Sequence, residues 1–363
     1  MRAVVLVGGL GTRLRPLTYT TPKNLLPVAE VPIIERVVAW LASHGVDSVV
    51  LSMGYQPGAF TTAYPDGTLC GIPVHYAVEP VPLDTGGAIG FAAADAGIDE
   101  TFIVVNGDVL TDIDVGAQLA HHRRTGALAT IALTPVDDPS RFGVVAMDGD
   151  GRVTAFIEKP PPGEAPSNFV NAGTYVLEPE VLPRIPTGAP MSMERAVFPA
   201  LAADGALFAV ASDRYWLDVG LPDSYLQAAF DLLNPAVRPG PPAPGAAEVA
   251  PSVWVLGAPR LGEDVVGLAG PGTLFGAGAE VAAGARVEGG VVGAGAQVGP
   301  GAVVRRSVLL AGAVVGPGAV VEDSIVGPGA RVGDGAKVGR MTVLGAGVEV
   351  EAGAVVEGAR RPA

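Results

Sequence analysis

Over the first 234 residues, short apolar runs alternate with segments whose apolar side chains share a helical face, whereas beyond residue 251 apolar positions recur every six residues. The two patterns call for different architectures. In the first part, β-branched runs at residues 3–7, 46–52, 102–105 and 127–133 are separated by stretches with helical spacing, such as 33–44. That alternation predicts an α/β domain with a Rossmann-like, mainly parallel sheet. In the second part, Val326, Val332, Val338, Leu344, Val350 and Val356 form an unbroken series, each followed by small residues, as in Val326-Gly-Pro-Gly-Ala-Arg331. Upstream the series is cut into the triplets Phe275/Val281/Val287, Val292/Val298/Val304 and Leu309/Val315/Val321, with a step of five residues between triplets. Three hexads then make one coil. One inward aliphatic per hexad, with Gly, Ala, Asp or Pro at the corners, predicts a left-handed parallel β-helix. A collagen-like reading of the glycines fails because the period is six rather than three.

Between the two patterns, residues 235–247 carry too many prolines for a helix or an interior strand. The expected organisation is a first domain over 1–234, a linker over 235–251 and a β-helix over 252–360. The composition agrees: of 363 residues 51 are glycine and 49% are apolar, yet only 6% are aromatic, so one domain is built from small side chains. No apolar stretch approaches the roughly 20 residues of a membrane span.

The net charge of −14 argues against nucleic acid or an anionic membrane as the main partner. The N-terminal apolar run is too short for a signal-peptide core and leads directly into a glycine-rich loop, which suggests a cytoplasmic protein. The single cysteine, Cys70, excludes an internal disulfide and a cysteine zinc cluster, and reads as a small packed side chain in a reducing compartment.

The first acidic residue is Glu30, whereas Arg2, Arg13, Arg15 and Lys23 precede it. This is a local reversal in an acidic chain. After the first strand, Gly8, Gly9 and Gly11 would let backbone N–H groups approach phosphate oxygens and Arg13 would meet their charge. An ordinary glycine-rich turn is the alternative. The loop is neither a P-loop, for it lacks Gly-Lys-Ser/Thr, nor a dinucleotide fingerprint, for Leu14 stands where the third glycine belongs. Asp108 ends an apolar strand at the ligand-binding edge of a parallel sheet, and Asp218 follows Trp216-Leu217 in a similar setting. His44, His75, His121 and His122 lack metal-ligand spacing.

Gly8-Gly-Leu-Gly-Thr-Arg-Leu-Arg-Pro-Leu-Thr18 followed by Pro22-Lys-Asn-Leu-Leu-Pro-Val28 resembles the signature of the sugar-1-phosphate nucleotidyltransferases, or nucleotide-sugar pyrophosphorylases. Further matches keep the family's order: Leu83-Asp-Thr-Gly-Gly-Ala88, Val105-Asn-Gly-Asp108, Phe142-Gly-Val144, Glu158-Lys-Pro160, Asn171-Ala-Gly-Thr-Tyr175 and Trp216-Leu-Asp-Val-Gly220. The resemblance covers essentially the whole chain and is nearest to the branch that uses mannose 1-phosphate and GTP, with thymidylyl and adenylyl branches as relatives. It implies that a sugar-1-phosphate oxygen attacks the α-phosphorus of a nucleoside triphosphate and releases pyrophosphate.

Such a transfer needs positioning and charge neutralisation, with a divalent metal and no covalent nucleophile. The resemblance gives Arg13 the β- and γ-phosphates, Lys23 the reacting phosphate, and Asp108 and Asp218 a Mg²⁺ ion. Leu6, Gly8, Gly9, Gly11 and Thr12 would cradle the nucleotide, with Glu79, Thr85, Gly86 and Gly87 near the base. Gly143, Glu158, Lys159, Asn171 and Asp218 would hold the sugar phosphate. A carboxylate at Glu79 matches the paired donors of guanine, which favours GTP, although an exposed strand-end charge would look the same. Asp84, Gly86 and Val31 depart from the common family pattern. Some relatives use the β-helix as an acetyltransferase, but every histidine here lies at or before His122, so the β-helix is expected to serve structure, oligomerisation or regulation. A silent nucleotide-sugar sensor would be expected to lack Arg13, Lys23, Asp108 or Asp218, and all four are present.

Overall fold

The computed structural model describes residues 1–54, 56–238, 241–265 and 269–362. Contacts divide the chain into two compact units, one formed by Met1–Gly9 with Ile34–Leu217 and the other by Leu10–Ile33 with Asp218–Ala363. Neither unit is continuous in sequence.

The first unit is built on the strand Arg2–Leu6, which lies parallel between Ser48–Met53 and Phe102–Asn106. Ile72–Val78 extends the parallel set beyond Ser48–Met53. On the other side, Phe169–Leu177 runs antiparallel to Phe102–Asn106 and to Ala129–Pro135, and Leu207–Ala211 lies parallel to Ala129–Pro135. The hairpin Gly143–Met147 and Val153–Glu158 joins through Val144 and Val170. Arg2–Leu6, Ser48–Met53, Phe102–Asn106 and Ala129–Pro135 are the β-branched runs read from the sequence, and their near-continuous apolarity reflects burial on both faces. Val4, Val104, Ile131, Tyr175 and Phe198 are among the core residues that the sheet and its helices enclose.

Cys70 differs from its sequence reading. It is exposed, at φ 50°, in the two-residue turn Cys70-Gly71 that joins Leu69 to Ile72 in an antiparallel hairpin. Its Sγ donates to the Glu35 carbonyl at 3.3 Å. Turn geometry outweighs the usual preference of a free thiol for the core.

The second unit is dominated by a parallel β-helix. Val287 pairs with Val304, Val304 with Val321 and Val321 with Val338, each a step of 17 residues, before Val338 pairs with Val356 at a step of 18. The short coils are those in which the hexad series contracts to five. Every member of the series from Phe275 to Val356 is at most 3% exposed and belongs to one cluster. Each such side chain contributes about 1.5–3 kcal/mol by burial. The corners turn with backbones that only glycine adopts without strain, as at Gly329 and Gly335 with φ of 63° and 64°.

Of the expected linker, residues 239 and 240 lie outside the described residues. Its end, Ala247–Ala250, is an edge strand antiparallel to Val253–Val255, which is possible because it contains no proline. The helix Pro222–Leu233 opens with proline and is closed at its start by reciprocal bonds between Leu221 and Ser224. It packs on the coils through Gly270–Phe275, Arg286–Val292 and Val303–Leu309. Among the described residues no helix is long and apolar enough to cross a membrane.

Candidate active site

The sequence-derived site residues fall in both units, and each set has its own geometry. In the first unit they gather where the parallel strands end. The Gly107 N–H donates to the Leu6 carbonyl and the Val7 N–H to the Ser52 carbonyl, so residues 7–9, 53–54, 79 and 107–108 leave the sheet at one edge. A Cβ on Gly8 would stand 3.1 Å from the Gly54 nitrogen and 3.5 Å from Glu79 Oε1, whereas Gly9 faces open space. Gly8 is thus closely packed and Gly9 is not. Glu79 is half-buried and accepts from Ser52 Oγ at 3.2 Å and the Leu83 N–H at 3.0 Å. It shapes the following loop, yet a carboxylate offers about four acceptor positions and two remain for a ligand.

Thr85, Gly86 and Gly87 are more committed to the protein than the sequence implied. The N–H groups of Gly86 and Gly87 both donate to the Met191 carbonyl, at 2.7 and 3.1 Å. A Cβ on either glycine would lie within 2.9 Å of backbone oxygens at Met191 or Ala189. Thr85 Oγ1 donates to Glu194 Oε2 at 2.7 Å and accepts from the Met193 N–H at 2.9 Å, while Ser192 Oγ also donates to Glu194. Glu194 was not singled out in the sequence. Set between Met193 and Arg195, it gave no local signal of this role.

The residues expected to meet sugar and its phosphate lie together in the same unit. Gly143 is paired with Glu158, and a Cβ there would stand 3.0 Å from Glu158 Oε2 and 2.9 Å from the Phe156 ring. Lys159 is 60% exposed, takes a left-handed backbone at φ 50° and holds Glu158 at 3.2 Å. Asn171 sits at an irregularity in its strand, where Oδ1 accepts from the Gly173 N–H at 3.0 Å and Nδ2 donates to the Tyr175 hydroxyl at 2.9 Å. Gly173, at φ 72°, leaves room for Asn106, whose side chain would lie 2.5 Å from a Cβ. Trp216 Nε1 donates to the Ala172 carbonyl at 2.8 Å, and its ring meets Phe142 edge-on. Burial first, then the Glu194 carboxylate, with smaller contributions from Glu158 and Asp108, holds the Tyr175 hydroxyl well above the usual phenol range, against the bond from Asn171. Tyr175 therefore stays protonated, with acidic groups around it.

In the second unit the basic loop folds on itself and on the β-helix. Gly11, at φ 60°, packs against Thr18 and Lys23 Cβ, and Thr18 Oγ1 donates to its carbonyl at 2.8 Å. Thr12–Leu14 forms a single 3₁₀ turn in which Thr12 and Arg13 are exposed. Lys23 is 8% exposed, and its ammonium lies 3.9 Å from Oδ1 of Asp218. A Cβ on Gly220 would stand 2.8 Å from Arg13 Nη2 and 2.9 Å from Asp218 Oδ1. Arg13 and Asp218 therefore meet over the Gly220 backbone, and Lys23 faces the same carboxylate. Asp108 and Asp218 offer oxygen donors only, and among the described residues no group of three or more His, Cys, Asp or Glu side chains could hold a metal. One or two carboxylates suit a hard divalent ion that takes its remaining ligands from phosphate and water.

The family described as Nucleotidyl transferase matches residues 2–234, and the GMPPB C-terminal domain matches residues 270–360. A mannose-1-phosphate guanylyltransferase of Mycobacterium tuberculosis is 38% identical over 80% of this chain and 79% of that protein. A UTP–glucose-1-phosphate uridylyltransferase of Synechocystis is 33% identical over 80% of this chain and 82% of its own length. Among solved structures, HddC from Yersinia pseudotuberculosis complexed with GMP-PN aligns with a TM-score of 0.55 at 28% identity, covering 63% of this chain and 97% of that one.

The segment carrying Arg13 and Lys23 is anchored farther on by Glu30, whose carboxylate accepts from the Ala294 N–H at 2.9 Å and lies against Gly276 and Gly293. Burial raises its pKa above the ordinary carboxylate value, the Ala294 bond offsetting part of the shift. A raised carboxylate favours the folded state fully below its unfolded pKa of 4.5 and loses that contribution as pH rises through the folded value. Glu30→Gln keeps an acceptor for Ala294 without a buried charge. Its stability relative to the parent is expected to be higher at pH 7 than at pH 4, as read by chemical unfolding at both; a gap that widens toward pH 4 would contradict this.

Proposed function

Because the chain belongs to the nucleotidyl transferase family, we propose that it is a sugar-1-phosphate nucleotidyltransferase that converts GTP and mannose 1-phosphate into GDP-mannose and pyrophosphate. The observation that carries this reading is the meeting of Arg13, Lys23 and Asp218 around Gly220. It supplies concentrated positive charge, beside a carboxylate, in a chain that is acidic overall.

In this reading the mannose-1-phosphate oxygen attacks the α-phosphorus of GTP. Arg13 holds the β- and γ-phosphates and stabilises the departing pyrophosphate, and Lys23 neutralises the reacting phosphate. The backbone of Gly8, Gly9 and Gly11 with Leu6 and Thr12 cradles the nucleotide. Glu79 receives two guanine N–H donors on its remaining acceptor positions, beside Thr85, Gly86 and Gly87 in the first turn of the helix Asp84–Asp95. Lys159 meets the sugar phosphate, with Glu158, Asn171 and the Gly143 backbone at the hydroxyls. The family's divalent metal is assigned as Mg²⁺, with Asp108 and Asp218 as its protein ligands, and when bound it withdraws charge from the phosphates. Asn171 serves chiefly by fixing the bulge from which this half is built.

The guanine and mannose assignments rest on the Mycobacterium relative and on Glu79. We also propose that the protein is cytoplasmic, where an exposed Cys70 thiol stays reduced, and that it self-associates through the β-helix, whose edge strand Ala247–Ala250 and exposed Val249 and Val355 offer surface. A single-chain mass by light scattering, or recovery outside the cytoplasm on cell fractionation, would remove either point.

Pyrophosphate release from mannose or glucose 1-phosphate with GTP, dTTP, UTP or ATP is expected to be fastest for GTP with mannose 1-phosphate. Preference for glucose 1-phosphate with UTP or dTTP would replace the guanylyl assignment, and no turnover with any pair would favour a nucleotide-sugar sensor. Asp108→Asn is expected to lower turnover about a hundredfold or more at saturating Mg²⁺ with an unchanged melting temperature. Retained activity would take Asp108 out of the site.

A further inference from the structure

The short turn that presents Arg13 is incomplete by itself. Within Thr12–Leu14 the Leu14 N–H donates to the Gly11 carbonyl at 3.0 Å and the Arg15 N–H to the Thr12 carbonyl at 3.3 Å. The next bond in this pattern would run from residue 16 to the Arg13 carbonyl. Residue 16 is proline and has no N–H to give. The missing donor comes from 347 residues away: Arg360 Nη1, on the last strand of the β-helix, donates to the Arg13 carbonyl at 2.8 Å. Arg360 is itself fixed in register, for Arg360–Arg361 pairs with Val343–Leu344 as the closing rung of the coil. A second contact accompanies it. Pro16 rests on Gly345, where a Cβ would stand 3.1 Å from the proline ring.

We propose that Arg360 is a positioning residue for the nucleotidyl transfer, completing the Arg13 turn so that its guanidinium is held for the triphosphate. This rests on the role of Arg13 proposed above. It makes the last coil of the β-helix a structural part of the catalytic apparatus, in addition to any part it has in association. Arg360 touches Arg13 through the main chain only, so its loss leaves the Arg13 charge in place and loosens its placement. The bond is exposed, which sets the scale of the effect at that of one hydrogen bond, about five- to tenfold.

Steady-state pyrophosphate release by the full chain tests this. Arg360→Ala is expected to lower kcat/KM for GTP about five- to tenfold while leaving the KM for mannose 1-phosphate and the melting temperature unchanged. Arg360→Lys, which can still donate to a carbonyl, is expected to recover most of the loss. Gly345→Ala, pressing on the same turn through Pro16, is expected to lower the same parameter. Wild-type kinetics for Arg360→Ala beside an inactive Arg13→Ala would overturn the inference and leave the functional reading standing. A loss expressed only as a raised KM for mannose 1-phosphate, or one that Arg360→Lys does not relieve, would also overturn it. Full activity of Arg13→Ala would instead remove Arg13 from the chemistry, and the inference with it.

Discussion

An ammonium group as enclosed as that of Lys23 is costly to hold unless a carboxylate faces it, and Asp218, 3.9 Å away and 29% exposed, meets that need. Around this pair the local structure is constrained on every side. Arg13 and Asp218 close over Gly220, and Gly11 combines a left-handed backbone with close packing against Thr18 and Lys23. The pair also links the N-terminal basic segment to the polypeptide that enters the helix Pro222–Leu233. That helix is fastened again by Tyr225, whose hydroxyl donates to the Pro27 carbonyl. Arg13 lies beside the same carboxylate, so basic groups are gathered where a transferase for two polyanions needs them.

The basic segment is supported by the β-helix as much as by its own turns. Glu30 reaches the first coils, while Pro16 and Arg13 reach the last. The β-helix is rigid because its repeated aliphatics are stacked in register and its corners are glycine-rich, so it is a firm base for a short loop that lacks regular structure. That explains how a 3₁₀ turn ended by proline can hold an arginine in a defined place.

In the first unit, groups that a motif suggests are aimed at ligand are often used to build the element that carries them, be it the helix Asp84–Asp95 or the strand Phe169–Leu177. Gly86 and Gly87 give their N–H groups to Met191, and Asn171 uses both ends of its amide on Gly173 and Tyr175. Glu79 has both oxygens engaged yet keeps acceptor capacity. Buried polar groups in a site seldom stay unsatisfied, so a recognition loop consumes part of its own hydrogen-bonding potential in keeping its shape. Glu194 belongs to this framework: through Thr85 it ties the start of the helix Asp84–Asp95 to the segment that leads into the Phe198–Ala203 helix.

The sequence by itself determined whatever repeats or is local. The hexad period named the residues of the β-helix core, because a parallel coil turns a spacing along the chain into a stack in space. The alternation of β-branched runs likewise located the strand Arg2–Leu6 and its parallel neighbours, and the lack of early acidic residues located the basic loop. Only the tertiary structure decided how these parts support one another. Thr85 meets Glu194 across 109 positions, Glu30 meets Ala294 across 264 and Arg360 meets Arg13 across 347. No period or propensity encodes such pairs, because each partner is chosen by a donor or acceptor left over after local structure has formed. The Arg13 carbonyl shows this most directly: the sequence states that Pro16 cannot bond it, and only the closed coil brings Arg360 to do so.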